Sequence, residues 1–192
     1  TIPKGDLDAD MVSDAFGADV TALVQGVLRA GRIESLQTGK DAGPGLETLR
    51  KMLLALADDV RVVLIKLAER IVYMRSITKA GDDLRHSAAV QTRDLFAPLA
   101  NRLGVFAIKW ELEDLSFRFL EPDLYKRIAG YLDGKRAERE GYMQRVVDEL
   151  RREVRGLGIE AEIAGRPKHL WSIHRKMQSK NLPFERLYDV RA

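Results

Sequence analysis

The chain has no cysteine and only three histidines among its 192 residues. Disulfides and thiolate metal centres are therefore excluded, and an imidazole-based metal site has few ligands to draw on. Such usage fits a cytoplasmic chain. Aromatic residues make up just 7% of the sequence. No run of about eighteen apolar residues occurs, so no membrane span is expected. The opening residues Thr1-Ile2-Pro3-Lys4 carry neither a methionine nor a signal peptide and read as an internal cut.

What is present suffices for a buried core in one or two domains: 45% hydrophobic and 32% charged residues. The net charge of +3 is unevenly spread. The first sixty residues are net acidic, whereas the last twenty-seven set Arg166, Lys168, Arg175, Lys176, Lys180, Arg186 and Arg191 against Glu185 and Asp189 alone. A local excess of that kind favours an anionic ligand over a general nucleic-acid surface, so no direct DNA binding is expected.

Most of the chain has helical apolar spacing. Val12 to Phe16 and Val20 to Leu28 read as helical, and Arg29 to Gly45 as a polar connection ending in Gly43-Pro44-Gly45. Helices are expected over Leu46 to Ala57 and Val60 to Ile77, the second apolar around much of its circumference and so the buried centre of a bundle. Asp82-Asp83 opens a helix through Leu103 that Pro98 should bend, and Phe106 to Leu120 forms another. Glu121-Pro122-Asp123 breaks it. Lys135 to Glu140 is a solvated charge run, after which Tyr142, Val146, Leu150 and Val154 form a narrow apolar stripe. That stripe either packs within a helical linker or transmits the state of one domain to another. Among the aromatics, Trp110 is expected in the core; Trp171 belongs to the core or to the wall of a ligand site.

The pattern changes after residue 158. Ile159-Glu160-Ala161-Glu162-Ile163 alternates as a half-buried strand, Gly165-Arg166-Pro167 turns the chain, and a helix follows from Pro167 to about Lys180. Leu170, Trp171, Ile173 and Met177 make its apolar stripe, while Lys168, Ser172 and Lys176 recur every four residues on another face. That row is either a solvated helix face or a cradle for polyphosphate oxygens, with Arg166 able to lay its guanidinium on a base. Asn181-Leu182-Pro183 ends the helix. Leu187-Tyr188-Asp189-Val190-Arg191 then alternates as a second strand, on which Asp189 holds Mg²⁺ or pairs with a neighbouring cation.

GRPKHLWSIHRKM followed by LYDVRA resembles the start of the synthetase domain of the RelA/SpoT family, whose members transfer pyrophosphate from ATP to the 3′-hydroxyl of GTP or GDP. The resemblance implies that Arg166 stacks on adenine, that Lys168, Ser172 and Lys176 touch the ATP phosphates, that His169 occupies a motif position beside them, and that Asp189 binds Mg²⁺. It also implies a first β-α-β of a nucleotidyltransferase-like α+β domain. The second catalytic carboxylate and the grip on the guanine nucleotide would lie beyond Ala192, leaving no complete catalytic set here. Ribosome contact would use regions further downstream.

VRVVLIKLAERIVYMRSI and FAPLANRLGVFAIKWELEDLSFRFLEP resemble the second half of the same family's HD-type hydrolase domain, closest to its synthesis-dedicated RelA branch. Hydrolytic members have aspartate, histidine and asparagine where Glu69, Val72 and Tyr73 stand. A metal-dependent hydrolase needs clustered imidazoles and carboxylates to lower the pKa of bound water. Here His86 reads as solvated, and His169 and His174 belong to the basic motif. Glu69 either retains a metal or pairs with Lys66, Arg70 or Arg75. No Mn²⁺ is expected in this part.

The organisation expected is mainly α. Residues 1–122 form the C-terminal part of a degenerate hydrolase domain, 123–158 a helical linker, and 159–192 the truncated start of a synthetase. The alternative is a helical regulatory or protein-binding module without nucleotide chemistry. On the first reading, manganese-dependent release of pyrophosphate from guanosine tetraphosphate by the full-length parent should be undetectable, and measurable release in a purified preparation would refute it.

Overall fold

A computed structural model of the chain describes residues 9–36, 59–133, 136–165 and 168–187. Regular structure among them is helical throughout, in agreement with the apolar spacing before residue 158. They fall into two compact units, Thr1–Ser116 and Phe117–Ala192.

The first unit opens with α1 (Ala9–Leu36), interrupted at Gly17, whose φ of 83° and ψ of 166° are open to glycine alone. This is the break between the two expected helical stretches. The helix continues to Leu36, however, where a polar connection from Arg29 was expected. Ala30, inside that expected connection, is buried in the first core and ties this part of the helix down. The expected turn at Gly43-Pro44-Gly45 and helix at Leu46 to Ala57 lie outside the described residues.

Next, α2 (Val60–Ser76) starts at Asp59, whose carboxylate accepts from the Arg61 N–H at 2.8 Å. Arg61 also binds Asp19 of α1 at 2.9 Å, tying the two helices at the surface. The approach is closest at Gly26, where a Cβ would stand 2.6 Å from Val62 Cγ2. Only one face of α2 is covered: Val62, Val63, Leu67, Arg70 and Met74 are buried. Val60, Leu64, Ile65 and Val72 are exposed, so the helix is not buried all round as its composition suggested. A second correction concerns membranes. Ala9–Gly31 is long and apolar enough to cross one by length and composition, although here Leu23, Val27 and Ala30 pack into the core shared with α2.

A short 3₁₀ turn (Ile77–Lys79) leads to α3 (Asp82–Gln91), a π-helical turn (Thr92–Phe96) and α4 (Ala97–Arg102). Pro98 was expected to bend this rod. A wider turn lies directly upstream of it, because proline offers no N–H and its ring would meet the carbonyl of Asp94, and one wider turn relieves both problems. The unit's core joins Val63 and Leu67 to Phe96, Leu99, Ala100 and Leu112.

The unit boundary falls within α5 (Phe106–Leu120), which matches its expected span. The second unit continues through α6 (Pro122–Asp133) and α7 (Arg136–Gly156). On α7 the expected stripe is displaced by one residue: Tyr142 and Leu150 are exposed and Val147 is buried. The cause is Gly165, whose missing side chain lets Met143 and Val147 close on the backbone; a Cβ there would lie 2.6 Å from Met143 Sδ. Arg151 Nη2 donates to the Ile163 carbonyl at 2.9 Å. Ile163 and Gly165 thus lie against α7, residues 159–165 carry no regular structure, and no strand forms among the described residues. The second core joins Phe117, Ile128 and Leu132 to Ile173, Phe184 and Leu187, so α6 packs on α8 (Leu170–Lys180).

Glycine-to-alanine changes should separate two effects. Gly130 sits in α6 with open space around it, so Gly130→Ala should stabilise by about 1 kcal/mol through helix propensity. Gly26→Ala should destabilise by about 1–3 kcal/mol, because the branched Val62 cannot swing clear, and Val62→Ala in the same chain should recover most of that. Urea denaturation of the single and double variants measures each value.

Candidate functional site at the basic helix

The basic segment is organised by what α8 buries. Ile173 and His174 are buried, and Leu170, Trp171 and Met177 pack against the same cluster. Ser172 and Lys176, four residues apart, share a half-buried row beside that face. The helix begins at Leu170, three residues later than the spacing suggested, where the first apolar side chain reaches the core. Its opening bond runs from the Ile173 N–H to the His169 carbonyl at 3.1 Å. Lys168 therefore precedes the helix and is not the first member of an i, i+4 row.

His169 is the N-cap residue, with φ −68° and ψ 150°, and makes no side-chain capping bond. N–H groups of a first helical turn have no partner within the helix, and the partial positive charge at that end favours an anion. Lys168 stands beside this end, and Ser172 and Lys176 lie along the following turns. At the other end Asn181 adopts the left-handed conformation (φ 48°, ψ 46°) and Leu182 donates to the Met177 carbonyl at 3.1 Å. The stop foreseen at Asn181-Leu182-Pro183 is thereby made. Arg166 and Asp189 lie outside the described residues.

His174, within the basic motif, turns its ring away from the cationic row and into the core. Its ring stacks on Phe117 at 4.7 Å with planes 10° apart, and Trp171 lies 5.3 Å from it. Trp171 also sits 5.4 Å from Phe117, which assigns it to the core side. Burial pushes the His174 pKa below its ordinary value, with Glu121 opposing weakly. Spacing from Leu170 and Met177 carried this signal: His174 is four residues after one and three before the other.

In the first unit, the exposed Glu69 Oε2 meets the Nζ of the half-buried Lys66 at 2.9 Å on α2. Lys66 is one of the three cationic partners the sequence offered it. Arg75 instead pairs with Glu111. Val72 is exposed, and the Tyr73 ring lies 5.2 Å from the Arg70 guanidinium. His86 is exposed, as its sequence context suggested. Trp110 is only half-buried, stacked on the exposed Phe106 at 5.7 Å, and so falls short of the core position expected. Among the described residues no three His, Asp or Glu side chains gather as a metal site.

Sequence reasoning missed the role of Arg70. It is buried, donates to Thr92 Oγ1 and the Ala88 carbonyl at 2.8 Å each, and lies 4.6 Å from the Phe96 ring. Thr92 Oγ1 itself donates to the Ala88 carbonyl at 2.7 Å. The guanidinium thereby braces the π turn from α2.

Residues 2–106 match the model of an HD domain. The chain is 46% identical over 186 residues to a GTP pyrophosphokinase of Escherichia coli (strain K12), covering 95% of this chain and 25% of that protein. A GTP pyrophosphokinase of Photobacterium angustum is 42% identical over 194 residues, covering 100% and 26%. The chain belongs to the RelA/SpoT family. A further relative, of Synechocystis, is 42% identical over 188 residues, covering 97% and 24%, and is named a probable guanosine-3′,5′-bis(diphosphate) 3′-pyrophosphohydrolase. The chain thus spans about a quarter of the length of these RelA/SpoT relatives.

The two neighbours Glu69 and Arg70 should respond differently to substitution. Glu69→Gln removes one ion pair whose carboxylate is exposed, leaves an amide able to accept from Lys66, and should change stability by no more than about 1 kcal/mol. Arg70→Met removes two buried hydrogen bonds and the contact with Phe96, and should cost about 2–4 kcal/mol. Thermal and denaturant unfolding of the two variants checks the contrast.

Proposed function

We propose that this chain is the central part of a GTP pyrophosphokinase, and that its basic segment forms the ATP side of the synthetase site. The observation that carries the reading is 46% identity over 95% of the chain to a protein of that name. The uncapped helix start with Lys168 before it, and Ser172 and Lys176 along it, gives that reading a physical basis.

In the parent reaction the 3′-hydroxyl of GTP or GDP attacks the β-phosphorus of ATP. A pyrophosphate group is transferred, AMP leaves, and the product is the stringent-response alarmone (p)ppGpp. Arg166 stacks on the adenine. Lys168 and the helix start approach the phosphates from one side, and Ser172 and Lys176 from the helix row, with His169 between them. These groups hold the polyphosphate in line and spread the charge that develops on it. Asp189 would hold Mg²⁺, which supplies further charge neutralisation to phosphoryl transfer. The guanine nucleotide, the second carboxylate and the ribosome fall to other parts of the parent.

The first unit, on this reading, is a hydrolase remnant. Val72 and Tyr73 offer no imidazole or amide, and the Glu69 carboxylate is engaged by Lys66. The alternative, a helical protein-binding module, draws support from the exposed Val60, Leu64, Ile65 and Val72 of α2.

Titration calorimetry with ATP and Mg²⁺ decides between them. Lys168→Ala and Lys176→Ala should each weaken binding about 10- to 100-fold, the loss of one charge-assisted phosphate contact. Binding untouched by both changes would favour the module.

A further inference from the structure

His174 presents a chemical problem that nothing in the proposed phosphate site requires. Its ring is 2% exposed, and Nδ1 is buried with no hydrogen-bond partner. A buried imidazole with an unmatched nitrogen is tolerated while neutral and costly as a cation, because the ion has lost its water without gaining an acceptor. Phe117 offers only the face of its ring, 4.7 Å away. A phenylalanine in the same place would stack equally well without that liability.

The surroundings provide little to hold a proton. The Glu121 carboxylate at the α5–α6 junction favours the charged ring, but burial outweighs it. From α6 the titratable group in the cluster is the Tyr125 phenol, whose ring meets the edge of Phe117 at 5.8 Å. Phe184 and Leu187 contribute apolar surface. On α8 itself Arg175 is exposed and Lys176 is half-buried.

We propose that His174 is a proton-sensitive lock on α8: the neutral ring holds the helix against Phe117 and Trp171, and its protonation releases the helix. Because Ser172 and Lys176 lie on the adjoining faces of the same two turns, release disorders their row and weakens its hold on an anion. The regulatory half of this proposal rests on the nucleotide reading above; the proton-sensitive packing does not. The sign is fixed by burial. A ring whose pKa is lowered on folding leaves the unfolded chain binding more protons, so the lock is intact above about pH 6.5, the unfolded value, and fails as pH falls through the lower folded value.

The test is a pH series from 8 to 5 on the whole 192-residue chain, with the three imidazoles followed by long-range proton–nitrogen NMR. We expect His174 to stay neutral to lower pH than the ordinary imidazole value of about 6.5. The Trp171 indole and the Ser172 and Lys176 amides should move with the His174 midpoint. In His174→Phe and His174→Tyr that shared transition should vanish. If neither variant folds, the unaltered chain decides alone. Ionisation of His174 at or above about pH 6.5, or without movement of the α8 signals, overturns the lock. Calorimetry with ATP and Mg²⁺ at pH 7.5 and 5.5 reads the regulatory half. The unaltered chain should lose at least tenfold more affinity over that interval than His174→Phe, a comparison that cancels titration of ATP itself. Equal losses overturn the coupling. Absence of ATP binding at both pH values refutes the nucleotide reading, and with it the regulatory half, while the NMR series still judges the packing.

Discussion

Helices satisfy their backbone hydrogen bonds within themselves, so cohesion in each unit of this chain depends on how side chains cover one another's apolar faces. That constraint explains where the polar exceptions lie. Arg70 is buried and meets it with two hydrogen bonds and an aromatic face. His174 is buried and meets it only while uncharged. One charged group is built into its core and braces it; the other neutral group makes its core conditional.

The two family resemblances fall on residues with different physical fates. At Glu69, Val72 and Tyr73 the side chains are exposed or paired with neighbours, while the helix beneath them keeps its packed face of Val63, Leu67, Arg70 and Met74. In the basic segment the apolar face of α8 fixes the helix, and Ser172 and Lys176 are carried alongside it. Packing and exposed chemistry thus use different faces of each helix.

Much of the helical framework was legible because apolar spacing and punctuation agree. Phe106–Leu120 is recovered in full, and the Gly17 break and the Asn181 stop follow from glycine and asparagine tolerating left-handed backbone. What periodicity could not supply was phase and partner. Alternation at Ile159 to Ile163 describes a strand's side chains but cannot create the neighbouring strand that pairing needs. The α7 stripe slipped by one residue because a glycine eighteen positions or more downstream decides which side chains are covered. The helix at Lys168 was read as starting early because cations carry no burial signal of their own. Asp189 and Arg166, half of the chemical argument, are known from sequence alone.

The irregular run beside α7 has a consequence for how the molecule behaves in company. Backbone outside helix and sheet leaves donors and acceptors that another segment can reach. Here its guards are electrostatic: Glu160 and Glu162 are exposed along it, and Arg151 occupies the Ile163 carbonyl. Repulsion between exposed charges fades with ionic strength. The guarding of this segment is therefore a property of the medium as much as of the fold.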